Sequence, residues 1–366
     1  NDPLLLTPGP LTTSKATKEA MLHDWGSRDQ TFIATNARVR ERLLTIAGAL
    51  KSHVCVPVQG SGTFAIEATL GTLISPSAKA LILINGAYGK RMAKIMDYLG
   101  RAYSVDETPE DTPPSVDAVD KALSADSTIT HVVAVHCETT SGILNPIEDI
   151  ARVAADRGRE LIIDAMSAFG AIPLEAAKVP FTALVASANK CLEGVPGMGF
   201  SIIRKDALEA AEGNSHSLSL DLFDQWRAME KTKQWRFTPP IHVISAFDKA
   251  LDQFEAEGGV EGRHARYSNN CRILVEGMRE MGFRTLLDDS LQAPIIVTFH
   301  MPKDDKFVFG DFYDGLKNRG YIIYPGKLTV AETFRVGCIG ALGETEMRGA
   351  LEAIADTLKE MGATAK

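Results

Sequence analysis

Residues 187–197 read SANKCLEGVPG, a lysine set among small polar residues where an apolar run gives way to the glycine and proline of a turn. Most lysines solvate loops, but an amine delivered to a crevice can serve as nucleophile or base. Twenty-six residues before Lys190, Asp164 closes the apolar run of LIIDAMSAFG. A carboxylate there could cap a turn, or it could hold a heteroaromatic nitrogen in its protonated form. Farther upstream, residues 60–63 read GSGT, between HVCVPVQ and the helix-like FAIEATLGTLI. Glycines let backbone approach an anion, and free N–H groups of a helix start, with the Ser61 and Thr63 hydroxyls beside Gly62, suit a phosphate.

Competing readings of that glycine turn are weaker. Gly60, Gly62 and Ala65 loosely echo GxGxxG/A, but the next strand-like run, ALILINGAYG, lacks the acidic residue a dinucleotide site needs. No GxxxxGK[ST] run is present. Three further residues draw attention. Tyr88 in NGAYG offers an aromatic face for stacking or for packing. Thr238 in WRFTPPIH precedes a proline and is held extended, as a capping or a phosphate-binding threonine. Arg335 in FRVGCIG lies on a strand pattern where alternation alone would expose it, yet Gly337 and Gly340 leave room for a guanidinium to grip a carboxylate or phosphonate.

The elements that must position these groups follow from periodicity. HVCVPV (53–58), ALILIN (80–85), HVVAVH (131–136), ELIIDA (160–165) and FTALVAS (181–187) alternate with amphipathic stretches such as YGKRMAKIMDYLG. That rhythm predicts an α/β domain over residues 16–250, a mostly parallel sheet covered by helices on both faces. If the strands before Asp164 and Lys190 are neighbours, both side chains end at one crevice edge together with GSGT. A phosphate cradle, an acid for a ring nitrogen and an amine nucleophile make up the requirement list of pyridoxal 5'-phosphate. After Pro239 and Pro240, IHVISAFDKALDQFEAEGG predicts a helix with Val243, Phe247, Ala250, Leu251 and Phe254 on one face. Beyond it, helix and strand patterns, YIIYPG and ETFRVGCIG among them, predict a smaller α+β domain over residues 251–366. Residues 1–15 read as an arm.

The chain has 366 residues, 45% hydrophobic and 23% charged, with a net charge of -8 and no basic block. This is the balance of a soluble protein with small-molecule partners, and it speaks against nucleic acid or an anionic membrane surface. Five scattered cysteines without a CxxC pair or a zinc-ligand histidine imply no metal and a reducing cytoplasm. NDPLLLTPGPLTTS, broken by Pro3, Pro8 and Pro10, predicts neither signal peptide nor membrane span.

TPGPLTTS, QGSGTFAIEA, NGAYGKRM, HCETTSGILNPI, IIDAMSAFG, SANKCLEGVPG, SHSLSLDLFDQW, KQWRFTPPIH and YPGKLTVAETFRVGCIG, in that order along essentially the whole chain, resemble the class V aminotransferases of the fold-type I pyridoxal-phosphate enzymes. The resemblance implies a large domain with a mostly parallel seven-stranded sheet between helices, a small C-terminal α+β domain, and a homodimer with shared active sites. It implies a Schiff base on Lys190, Asp164 at the pyridine nitrogen, Tyr88 on the ring, Thr139 near the ring hydroxyl, and Ser61, Gly62 and Thr63 at the phosphate. Thr238 would reach the phosphate from the other subunit, and Arg335 would bind the substrate anion. The motifs look most like the branch using 2-aminoethylphosphonate and pyruvate, whose phosphonate calls for added donors from the arm, with Thr12 or Thr13 as candidates. Alanine:glyoxylate or serine:pyruvate transamination is the alternative. The segment 22–32, with Trp25, Arg28 and Asp29, is expected near the active-site mouth, tuning substrate choice.

Overall fold

A computed structural model describes residues 2–328 and 331–365; Thr329 and Val330 of the YPGKLTVAETF motif lie outside the described residues. Seven strands form the central sheet: β1 (His53–Gly60), β2 (Lys79–Ile84), β3 (Ala102–Glu107), β4 (Ile129–Val135), β5 (Glu160–Asp164), β6 (Ala183–Ser187) and β7 (Gly197–Arg204). Their spatial order is β1-β7-β6-β5-β4-β2-β3, with β7 alone antiparallel to its neighbours. The α/β class read from the sequence is the observed one, and the period-two rule shows why. Leu81 and Leu83, Val132 and Ala134, and Leu161 and Ile163 enter one core; Ala80, Ile82 and Ile84, Val133 and Val135, and Ile162 enter the other.

Each face is roofed by helices. The helices Gln30–Ile46, Ile147–Asp156 and Ile241–Ala256 cover the first core through Leu43, Ile150 and Phe247. The helices Gly62–Leu73 and Ala87–Leu99 cover the second through Leu70 and Met96. Each fully buried Leu or Phe contributes ~1.5–3 kcal/mol to that closure. In Ile241–Ala256 the buried stripe is Ile244, Phe247, Ala250, Leu251 and Phe254, while Val243 of the expected face is only half-buried, seated over Gly197.

A third core lies farther along the chain. The helices Gly259–Met281, Phe309–Asn318 and Glu344–Met361 enclose it with the strands β8 (Ile296–His300), β9 (Tyr324–Pro325) and β10 (Thr333–Gly337), in the order β8-β10-β9. YIIYPG, expected as one strand, is two. Tyr321–Ile322 pairs in parallel with Leu4–Leu5 of the arm, whereas Tyr324–Pro325 pairs with β10. The arm is therefore stitched to the C-terminal sheet, and Gly337 N donates to Leu6 O at 2.9 Å.

Candidate active site

At the carboxyl ends of the co-directional strands lies a cavity of about 440 Å³, within the ~300–1,000 Å³ range of small-molecule sites. Gly60, Ser61, Gly62, Thr63, Tyr88, Asp164 and Lys190 all line it. β5 and β6 are parallel neighbours with Asp164 opposite Val185, so the loop after β6 brings Lys190 to the end of β5.

Each group reaches the cavity for a local reason. Gly60 ends β1 at φ +123°, which favours glycine, and a Cβ there would lie 2.6 Å from Phe64 Cγ. The chain thus turns straight into the helix Gly62–Leu73, whose N-cap, Ser61, makes no side-chain capping bond. Its hydroxyl and the helix-start N–H groups border the cavity, an arrangement suited to an anion. Thr63 Oγ1 accepts from Arg91 Nη1 at 3.1 Å, and the Arg91 guanidinium lies 4.9 Å from the Tyr88 ring centroid. Arg91 and Met166 also line the cavity; sequence reasoning overlooked both, although Arg91 sits one helical turn after Tyr88.

Asp164 is 5% exposed, and its Oδ1 accepts from Met166 N at 3.0 Å. Burial pushes its carboxyl up from 3.8 to about 6, against the pull of that N–H and of the Lys190 and Arg91 charges. Burial likewise pushes the Lys190 amine down from 10.5 to about 8, while Cys191 and Asp164 draw it up. The amine donates to Pro8 O at 2.6 Å, and a Cβ on Gly9 would stand 2.8 Å from Nζ. The arm thus lies directly against the lysine.

Beyond the cavity wall, Arg335 is buried; its Nη1 donates to Thr139 O at 2.8 Å and its Nε to Pro325 O at 3.1 Å. The space at Gly337 and Gly340 is filled by the arm instead: their Cβ positions face Thr7 and Thr12 backbone at 2.6 and 3.1 Å. Thr12 Oγ1 accepts from Leu5 N at 2.7 Å, and Thr12 and Thr13 line a separate depression beside Leu5 and Lys18. Thr238 is exposed and lines no part of the cavity. Within segment 22–32, Asp29 caps the helix Gln30–Ile46, Trp25 leans on the first core and Arg28 is exposed; none lines the cavity.

The aminotransferase class-V family model matches residues 12–326. The chain belongs to the class V aminotransferases. It is 58% identical to the 2-aminoethylphosphonate–pyruvate transaminase of Pseudomonas fluorescens, over 98% of this chain and 97% of that protein. It is 57% identical to the transaminase of the same name from Pseudomonas putida, over 99% and 98%. The solved structure of ureidoglycine–glyoxylate aminotransferase from Bacillus subtilis shares the fold, with a TM-score of 0.91 at 21% identity, over 99% of this chain and 94% of that one.

Pyridoxal 5'-phosphate, the cofactor expected of a class V aminotransferase, can be tested against this cavity. Ser187 lines it, with an Oγ that is buried and unpartnered among the described residues; Thr139 Oγ1 is also buried and unpartnered there, although Thr139 is not among the residues lining the cavity. Such atoms are costly unless a ligand meets them. Together with the Asp164 carboxylate, the Lys190 amine and the anion cradle, they fit a ring bearing a hydroxyl, a basic nitrogen, an aldehyde and a phosphate. Among the described residues no cluster of His, Cys, Asp or Glu could hold a metal ion.

Proposed function

We propose that this chain transfers the amino group of 2-aminoethylphosphonate to pyruvate, with pyridoxal 5'-phosphate as cofactor, giving phosphonoacetaldehyde and L-alanine. The observation that carries the reading is the convergence of Lys190, Asp164 and the 60–63 cradle on one cavity. The choice of substrates rests on the full-length similarity to transaminases named for them.

When bound, the cofactor supplies an aldehyde that captures the substrate nitrogen and a ring that accepts electron density. The side chains do the rest. Asp164 holds the proton on the ring nitrogen, because its buried charge favours the cation. Lys190 would take up and return a proton at the substrate carbon that bears nitrogen, a task suited to an amine whose hold on its proton is weakened by burial. Ser61, Gly62 and Thr63 would hold the phosphate, Tyr88 would stack on the ring, and Thr139 would meet the ring hydroxyl. Arg335, fixed by two carbonyls, presents the rest of its fork to the phosphonate or carboxylate. Thr238, exposed in one chain, reaches the phosphate of a second copy in a homodimer. A cytoplasmic location suits five cysteines that are all free and buried. No helix among the described residues is long and apolar enough to cross a membrane.

The test is cofactor addition followed by borohydride, with amine donors assayed in parallel. A visible band, reductive trapping on Lys190 and alanine formed from pyruvate only with the aminophosphonate support the reading. A protein that stays colourless refutes the cofactor assignment, and one that prefers alanine and glyoxylate refutes the substrates.

A further inference from the structure

One buried carboxylate at the site has no part in the chemistry above. Glu138 is fully buried at the end of the short strand Cys137–Glu138 that follows β4 and pairs with Ile143–Leu144, at the start of the turn 138–142. Its Oε1 accepts from Thr140 N at 3.0 Å and from Thr140 Oγ1 at 2.5 Å, and its Oε2 accepts from Tyr88 N at 3.1 Å. Thr140 Oγ1 in turn accepts from Ala87 N at 2.9 Å. The helix Ala87–Leu99 starts at Gly86, which has no side chain to cap it, so its first two N–H groups are satisfied from the 138–140 loop. A negative charge at that helix start is favoured. Gly86 makes the approach possible, since a Cβ there would lie 2.4 Å from Glu138 Cδ.

Both ends of this link carry site groups. The helix carries Tyr88 and, one turn on, Arg91, which donates to Thr63 at the phosphate cradle. The loop carries Thr139, whose carbonyl receives Arg335 and whose hydroxyl is unpartnered among the described residues. Burial pushes the Glu138 carboxyl up, while its Thr140 and Tyr88 donors pull it down.

We propose that Glu138 is a positioning residue that locks the cofactor-facing Tyr88 and Arg91 and the anion-gripping Arg335 into one register. This rests on the cofactor reading above. All the groups that meet the carboxylate are donors, so an amide of the same shape must turn its NH₂ toward a donor and lose one end of the link.

Glu138→Gln in the full chain is the test, with Thr140→Val as a second variant that removes the hydroxyl link but leaves the carboxylate. Titration of the apoprotein should show cofactor Kd raised about tenfold or more, the scale of one lost charge-assisted hydrogen bond. The visible circular dichroism of the bound ring should weaken, and KM for both substrates should rise more than kcat falls. Thr140→Val should shift all three readouts in the same direction by less. A folded Glu138→Gln protein with Kd and both KM values within about twofold of wild type, below the ~1.4 kcal/mol of a tenfold change, and with unchanged dichroism, overturns the proposal. Should Glu138→Gln not fold, the same null result for Thr140→Val overturns it. A wild-type chain that binds no cofactor overturns the reading of the site, and this inference with it.

Discussion

Asp164→Asn separates what the buried carboxylate costs the fold from what it does for the site. In the apoprotein Asp164 is 5% exposed and burial raises its carboxyl from 3.8 to about 6. A folded value above the unfolded one means that the fold favours the neutral acid. That contribution is fully present below about pH 4 and is lost as pH rises through about 6. At ~1.4 kcal/mol per tenfold change in proton binding, the ionised carboxylate costs the apoprotein about 3 kcal/mol at neutral pH. Asparagine keeps an oxygen for Met166 N and cannot ionise. The apo variant should therefore be more stable than apo wild type above pH 7, by up to about 3 kcal/mol, with the gap closing toward pH 4. At ~2.1 cal/mol/K of unfolding entropy per residue, this is roughly 4 °C in Tm for a chain of this length. With cofactor bound the sign reverses for function: the counter-charge of the ring nitrogen is gone, and turnover should fall on the order of a hundredfold. Thermal melts of both apoproteins across this pH range decide the matter. A variant less stable than wild type at pH 7.5, or a difference independent of pH, refutes the burial account.

Two further outcomes concern Lys190 in the cavity and Arg335 beyond its wall. Because burial lowers the Lys190 amine from 10.5 to about 8, and only the neutral amine attacks an aldehyde, cofactor uptake by the apoprotein should speed up about tenfold per pH unit below 8 and level off above it; a rate still climbing near pH 10 contradicts this. Arg335→Lys cannot hold both Pro325 O and Thr139 O and still offer a fork, so KM should rise about tenfold or more for phosphonate and for pyruvate; an unchanged KM for pyruvate removes Arg335 from the acceptor half-reaction.

The parts of the fold that could be read from the sequence are those whose burial is written locally. Residues 80–84, 132–135 and 161–163 are apolar on both strand faces, which only a sheet roofed twice requires, and they lie in central strands. β7 escaped because GVPG before it reads as a chain leaving the crevice; instead it returns between β1 and β6, a pairing decided by partners far along the sequence. β3 escaped for the opposite reason. It is an edge strand, paired on one side only, and AYSVDE shows no apolar run. The 321–325 segment reads as one strand, yet it is divided between two sheets because the arm pairs with its first half.

The same division between local and distant causes governs the site. Lys190 and Asp164 were legible because they follow apolar strands, and strand ends in an open α/β sheet converge. Thr12 and Thr13 carry no such signal. The path of the arm is set by Leu5 N on Thr12 Oγ1 and by the bare backbone at Gly337 and Gly340, and these contacts turn both threonines away from the cavity. Arg335 marks the limit of period-two reasoning: alternation predicts exposure, but β10 is buried along its whole length. A guanidinium survives there only if its unused N–H groups are satisfied in advance. The carbonyls that do so lie 10 and 196 residues away, and the second belongs to a loop held by Glu138. The glutamate of HCETTSG meets Tyr88 N directly and Ala87 N through the Thr140 hydroxyl, contacts some fifty residues away that no pattern confined to that stretch can express.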